Sequence, residues 1–212
     1  MNNIKGKFIT VEGGEGAGKS TNLEVIKQLL EAAGHQVLFT REPGGTPLGE
    51  EIRNLLLGHK HDGMADEAEL LLMFGARAEH LNRKIIPALE AGTWVLCDRF
   101  TDATYAYQGG GRGIDPDRIQ ILEQWVQQDL RPDLTLILDL PIEIGLERAG
   151  KRSAPDRFES EAHNFFQKVR AAYLNIAKND PQRVKVIDAS LPLTQVQSQI
   201  KMVMDSFLSS DI

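Results

Sequence analysis

Lys19 and Ser20 close the octet Gly13-Gly14-Glu15-Gly16-Ala17-Gly18-Lys19-Ser20, which matches the pattern G-x-x-x-x-G-K-[ST] of loops that cradle phosphate. Glycines admit positive φ, so successive N–H groups can turn inward around phosphate oxygens with the positive end of a helix dipole behind them. Lys19 would place an ammonium on the β and γ phosphates of ATP, and the Ser20 hydroxyl would reach a magnesium ion. Thr21 completes the residues expected at the ATP phosphates. Asp98 closes an apolar run and is a candidate outer-sphere partner for that magnesium, with Glu12 as a second candidate. Further cations stand at the ends of other elements: Arg41, Arg53, Arg77, Arg99 and Arg112. The loop already handles a donor, so guanidinium groups gathered at one crevice point to an acceptor that is itself phosphorylated. The chemistry implied is phosphoryl transfer to a nucleoside monophosphate.

These residues need a frame. Lys7-Phe8-Ile9-Thr10-Val11 is an apolar, β-branched run that leads into the glycine loop, and Leu23, Ile26, Leu29 and Leu30 recur at helical spacing beyond it. The same rhythm repeats. Strands are predicted at 36–40, 93–98, 134–140 and 184–188, and helices around Ile52–Leu56, over 67–91 with a break near Pro87, from Asp115-Pro116 to about Asp129, over 142–148 and over 160–178. Five apolar strands separated by helices predict an α/β fold, a five-stranded parallel sheet covered by helices on both faces, with ligands at the carboxyl ends of the strands.

Composition narrows the function classes. A chain of 212 residues with 42% hydrophobic content can bury a sizeable core, and it reads as a single domain over 1–212. The net charge of -6 argues against a nucleic-acid partner. Cys97 is the only cysteine, so no intrachain disulfide or thiol metal site forms, and it is expected to be an inert, buried thiol in a cytoplasmic protein. No run approaches the ~20 apolar residues needed to cross a membrane. The five histidines show no metal-ligand spacing, and no transition metal is expected.

Four blocks carry a more specific signal: Glu12-Gly13-Gly14-Glu15-Gly16-Ala17-Gly18-Lys19-Ser20-Thr21, Thr40-Arg41-Glu42-Pro43-Gly44-Gly45-Thr46, Asp98-Arg99-Phe100, and Ala106-Tyr107-Gln108-Gly109-Gly110-Gly111-Arg112-Gly113. In this order they resemble the signature blocks of the bacterial thymidylate kinases. The resemblance implies the nucleoside monophosphate kinase form of the P-loop NTPase fold, transfer of the ATP γ-phosphate to dTMP to give dTDP and ADP for dTTP synthesis, magnesium with ATP as co-substrate, and a homodimer. Carried over by position, it implies that Arg99 holds the dTMP phosphate with help from Arg41 and Arg53. Glu15 would accept from the sugar 3'-hydroxyl, Tyr107 would crowd the 2' position, Thr104 and Gln108 would bond the thymine edge, and Arg77 would donate to a base carbonyl. Phe74 is the expected stacking ring, although it stands three residues before Arg77 where the common pattern has four, the position of Met73.

The polar stretch at about 149–160 resembles the family's lid. The loop position on either side of Glu15 is glycine, so the catalytic arginine that some members carry there is missing. The resemblance is to the subgroup whose lid supplies it, with Arg152 and Arg157 as candidates and Arg148 near the lid's start. Two other readings stay open: a kinase for another nucleoside monophosphate, and a P-loop ATP switch with no acceptor.

Overall fold

The computed structural model describes residues 5–61, 63–150, 156–158 and 161–209. Its centre is a five-stranded parallel sheet in the order β2-β3-β1-β4-β5. The strands are β1 (Phe8–Gly13), β2 (Val37–Arg41), β3 (Trp94–Asp98), β4 (Leu134–Asp139) and β5 (Val184–Asp188). The helices are α1 (Lys19–Ala32), α2 (Pro47–Leu57), α3 (Asp66–His80), α4 (Ile86–Glu90), α5 (Thr101–Thr104), α6 (Pro116–Gln127), α7 (Ile142–Gly150), α8 (His163–Asn179) and α9 (Leu193–Ser209). The five predicted strands are all present.

Burial explains the strand sequences. β1 and β3 lie inside the sheet and are buried along both faces, as parallel strands covered on two sides must be. Alternation sorts their side chains. Ile9, Val11, Leu96, Leu134, Leu136 and Leu138 meet Leu23, Ile26 and Leu30 of α1 and Val196, Ile200 and Met204 of α9. On the other face, Ile137 joins Phe165, Phe166, Val169 and Tyr173 of α8, while Phe8, Val95 and Cys97 meet Leu81, Ile85 and Leu89. Each such side chain taken out of water contributes roughly 1.5–3 kcal/mol.

Local signals set the helix ends. The Thr46 hydroxyl accepts from the Gly49 amide ahead of Pro47, and the Asp115 carboxylate accepts from the Asp117 amide ahead of Pro116. The long helix predicted over 67–91 divides earlier than the expected break at Pro87. A π-helical turn over Leu81–Ile85 separates α3 from α4. Proline has no N–H for the preceding turn, and the irregularity is taken up there.

Connections leaving the adjacent strands β1 and β3 run in opposite directions across the sheet, so a crevice opens beyond their carboxyl ends. One wall of it is a second π-helical segment, Tyr105–Gly111, which continues α5 and packs along α8. Its glycines make that approach possible. A Cβ on Gly110 would stand 2.7 Å from Ala172 Cβ and 3.0 Å from the Lys168 carbonyl oxygen. Gly110→Ala should therefore lower stability by about 1–3 kcal/mol through overpacking. Chemical denaturation checks this, and an unchanged midpoint would show that the two elements are free to separate.

Candidate active site

At the carboxyl end of β1 the chain turns through the glycine loop into α1. Gly18 precedes the helix at φ 82° and has no side chain to cap it, so the first-turn amides of α1 are left for a ligand. The Lys19 ammonium lies 3.1 Å from the Gly13 carbonyl oxygen and 3.2 Å from that of Gly14. Burial and the Arg99 charge both lower its pKa, against the pull of Glu15, Asp98 and Glu12. A phosphate arriving here would relieve that repulsion.

β3 delivers Asp98 and Arg99 beside the loop. Arg99 has φ 66°, a left-handed conformation that costs a non-glycine residue about 1–2 kcal/mol. Three contacts hold it there. Its N–H donates to the Val11 carbonyl at 3.0 Å, its carbonyl accepts from the Cys97 thiol at 3.1 Å, and the Phe100 N–H donates to Glu12 Oε1 at 2.7 Å. The twist aims the guanidinium into the crevice, 2.7 Å from Glu15 Oε1 and 4.7 Å above the Tyr107 ring. The Tyr107 hydroxyl donates to the same Glu15 oxygen at 2.8 Å. Burial works to raise the Glu15 pKa, but Arg99, Lys19 and the Tyr107 hydroxyl outweigh it and hold the carboxyl at about 2. Glu15 is thus a fixed anion between two cations.

Glu12, the second candidate for magnesium, does not line the cavity. Its side chain is wholly buried, and its carboxyl oxygens are engaged by the Phe100 amide and, at 2.8 Å, by the Tyr173 hydroxyl. Burial first, then the Asp102 charge, pushes its pKa up to about 8. Asp98 differs: its Oδ1 is buried with no hydrogen-bond partner among the described residues. An acceptor in that state beside the loop suits the water shell of a magnesium ion.

The opposite wall comes from α3, where Glu69, Met73, Arg77 and His80 follow one helical face. Arg77 is 3% exposed and bonds Glu42 at 2.7 Å and Thr104 at 2.9 Å, while its Nη1 has no partner among the described residues. His80 steadies Glu42 at 3.1 Å and meets the Thr40 hydroxyl at 2.6 Å. Gln108, almost fully buried, donates to Glu69 at 2.8 Å. Loop, turn and helix together enclose a cavity of about 270 Å³, whose lining includes Gly16 to Ser20, Arg53, Met73, Arg77, Asp98, Arg99, Thr104, Tyr107 and Gln108.

The thymidylate kinase family model matches residues 11–200. A thymidylate kinase of Pseudomonas savastanoi pv. phaseolicola is 58% identical over 97% of this chain and 98% of its own length, and one of Methylococcus capsulatus is 54% identical over 98% and 99%. The solved thymidylate kinase of Ehrlichia chaffeensis superposes with a TM-score of 0.77 at 35% identity, covering 94% of this chain and 98% of that one. The chain belongs to the thymidylate kinase family. It is a phosphotransferase of the nucleoside monophosphate kinase type, on the P-loop fold expected from its sequence.

Not every residue expected at this thymidylate kinase site faces the cavity. Phe74 does not: it is 2% exposed, packs with Leu70, Ile114 and Ile119, and supports the Arg77 guanidinium from 4.8 Å. Met73, four residues before Arg77, lines the cavity instead, as does Phe100. Of the five arginines expected to converge, Arg53, Arg77 and Arg99 do. Arg41 is half exposed and pairs with Glu50 at 2.8 Å, and Arg112 pairs with Glu69 and Glu161. Arg157 also turns away. Its guanidinium bonds the Leu56 carbonyl at 2.7 Å and Glu69 at 2.6 Å, so in this structure it ties the lid segment to α2 and α3. Arg152 and most of the expected lid lie outside the described residues.

Glu42, Glu69 and His80 carry no role in the sequence reading. Their signal was available for two of them: Glu69 and His80 share the helical face that carries Arg77.

A carboxyl whose folded pKa is depressed stabilises the fold above its ordinary value and loses that contribution as pH falls toward the depressed one. For Glu15 the window runs from 4.5 down to about 2. The stability difference between the native protein and Glu15→Gln should therefore be constant above that window and shrink through it. Thermal denaturation across pH 2–6 measures it, and a difference that grows on acidification would contradict the assignment.

Proposed function

We propose that the protein transfers the γ-phosphate of ATP to dTMP, giving ADP and dTDP for dTTP synthesis. What carries the reading is the single cavity in which the phosphate loop faces Arg99, Glu15 and Tyr107 on one side and the buried Arg77–Thr104–Gln108 set on the other. Lys19 and the α1 amides hold the donor phosphates. Arg99, aided by Arg53, holds the acceptor phosphate and neutralises charge as it attacks. Glu15 accepts from the sugar 3'-hydroxyl, and Tyr107, packed against Glu15, crowds a 2'-hydroxyl. Arg77 directs its free Nη1 at a base carbonyl, with Thr104 and Gln108 beside the base edge. Met73 takes the place over the base expected of Phe74. In-line transfer leaves the protein little covalent chemistry, so these positions act by alignment and charge.

Magnesium, bound with ATP, would supply charge neutralisation at the transferred phosphate. Ser20 is its protein ligand in this reading, and the free oxygen of Asp98 accepts from its water. Arg152 is the lid cation, because Arg157 is occupied at Glu69. The protein acts in the cytoplasm without a nucleic-acid partner, in keeping with its net charge of -6 and one buried thiol. No helix among the described residues is long and apolar enough to cross a membrane.

The functional form is a homodimer through α6 and α3. Ile121 and Trp125, one turn apart on α6, are 65% and 78% exposed, and Leu71 on the adjacent α3 is 58% exposed. Large apolar side chains grouped in this way mark an interface, and a second copy of the chain is the partner proposed. Trp125→Glu should shift sedimentation from dimer to monomer, and an unchanged dimer would place the seam elsewhere.

An ADP-release assay with ATP and magnesium tests the reaction, using dTMP, dUMP, dCMP, AMP or no acceptor. Strong turnover is expected with dTMP and not with dCMP, AMP or no acceptor. Equal turnover with AMP would overturn the base assignment, and acceptor-independent hydrolysis would overturn the kinase. Arg152→Ala should cut kcat on the order of 10³-fold, the lower range for a catalytic arginine, without changing thermal stability. Arg157→Ala should instead cost roughly 1–3 kcal/mol of stability by leaving buried acceptors unpaired.

A further inference from the structure

Glu12 sits behind the crevice and does not line it. It stands at the end of β1 with no exposed surface and is absent from the cavity lining, yet it lies directly behind the two cations. Such a group is retained only if its hydrogen bonds are specific. Its Oε1 takes the amide of Phe100, the residue after Arg99, and its Oε2 meets the hydroxyl of Tyr173 on α8.

The geometry of Arg99 gives these bonds a purpose. The peptide unit before the Arg99 Cα is anchored by its N–H to the carbonyl of Val11, and the unit after it by its N–H to the side chain of Glu12. Consecutive residues of one strand therefore fix both planes whose rotation defines the Arg99 backbone, and hold it at φ 66°. Without Glu12 the second unit would keep only the weak donor of the Cys97 thiol on its carbonyl, and the residue would relax toward negative φ, its side chain leaving the direction of Glu15 and Tyr107.

We infer that Glu12 is a positioning residue for phosphoryl transfer: through the Phe100 amide, and backed by Tyr173, it locks Arg99 in the left-handed conformation that points its guanidinium at the acceptor phosphate. This rests on the proposed acceptor role of Arg99. The lock needs an acceptor oxygen at the right reach and does not need a negative charge. Burial and the Asp102 charge, which favour the neutral acid, are compatible with it. Gln keeps that oxygen and can donate its amide to the Tyr173 oxygen, whereas Asp keeps the carboxyl but is one methylene too short to reach.

Three variants separate reach from charge: Glu12→Gln, Glu12→Asp and Glu12→Leu. Two readouts are taken on each, steady-state kinetics with dTMP and ATP, and hydrogen exchange at the Phe100 amide followed by NMR. Glu12→Gln should keep kcat within about threefold and keep Phe100 protected. Glu12→Asp and Glu12→Leu should lose about 10²-fold in kcat, the scale of an ångström-level misplacement, and lose Phe100 protection, while the KM for ATP stays within about threefold. If Glu12→Leu fails to fold, the contrast between Gln and Asp decides. The inference is overturned if Gln falls as far as Asp, or if Asp keeps both rate and protection. Should the native protein fail to phosphorylate dTMP, the acceptor reading falls, and exchange at Phe100 still reports whether the lock exists.

Discussion

Repulsion between like charges is the constraint around which this crevice is built. Lys19 and Arg99 are brought together at the ends of adjacent strands, with Arg53 nearby, in a place where burial weakens screening by water. Uncompensated, such a cluster would push the strand ends apart. Glu15 compensates it by standing between the two cations, fixed by Arg99 at 2.7 Å and Tyr107 at 2.8 Å. The remaining excess of positive charge is what a polyphosphate and an acceptor phosphate would neutralise. Preorganisation of this kind stabilises charge as it moves during transfer, because the protein dipoles need not reorient.

The sheet supplies the rigidity that the cluster demands. β1 and β3 pair with Val11 opposite Asp98, so the loop and the Asp98-Arg99 turn are held in register by the same ladder that builds the core. Behind them, Thr10 on β1 meets Thr135 on β4 at 2.7 Å, Thr135 donates to Asp102 at 3.2 Å, and Arg183 closes on Asp102. This polar chain fixes the start of α5, the helix that carries Thr104 and leads to Tyr107. Core packing and site geometry are therefore the same structure seen from two sides.

What could be read from the sequence follows the range of the signal. The phosphate loop and the five strands are local patterns, and each is present where its residues predict it. Arg53, Arg77, Thr104, Tyr107 and Gln108 also reach one cavity. Phe74 departs from its expected place because helical phase decides: the face of α3 that carries Glu69 and Arg77 carries Met73, and an aromatic ring one position on turns into the core. The ties of Arg112 and Arg157 to Glu69 are long-range pairings with no local signature. α9 is not among the predicted helices even though Val196, Ile200, Val203 and Phe207 recur at helical spacing.

Selectivity on the proposed reading also comes down to unsatisfied donors. Arg77 cannot accept a hydrogen bond, and with Nε on Glu42 and Nη2 on Thr104 its Nη1 is the guanidinium nitrogen without a partner among the described residues. Glu42 cannot drift to suit another partner, because His80 and the Arg77 pair hold both of its oxygens. A pyrimidine that presents a carbonyl there satisfies the free donor. An amino group at the same place, as in cytosine, would set donor against donor in a buried site. Sites built to pair a buried donor reject a ligand that lacks the acceptor far more strongly than apolar pockets reject a change of size. The discrimination of thymine from cytosine would then rest on Glu42 and His80, which hold the Arg77 guanidinium in place, as much as on Arg77 itself.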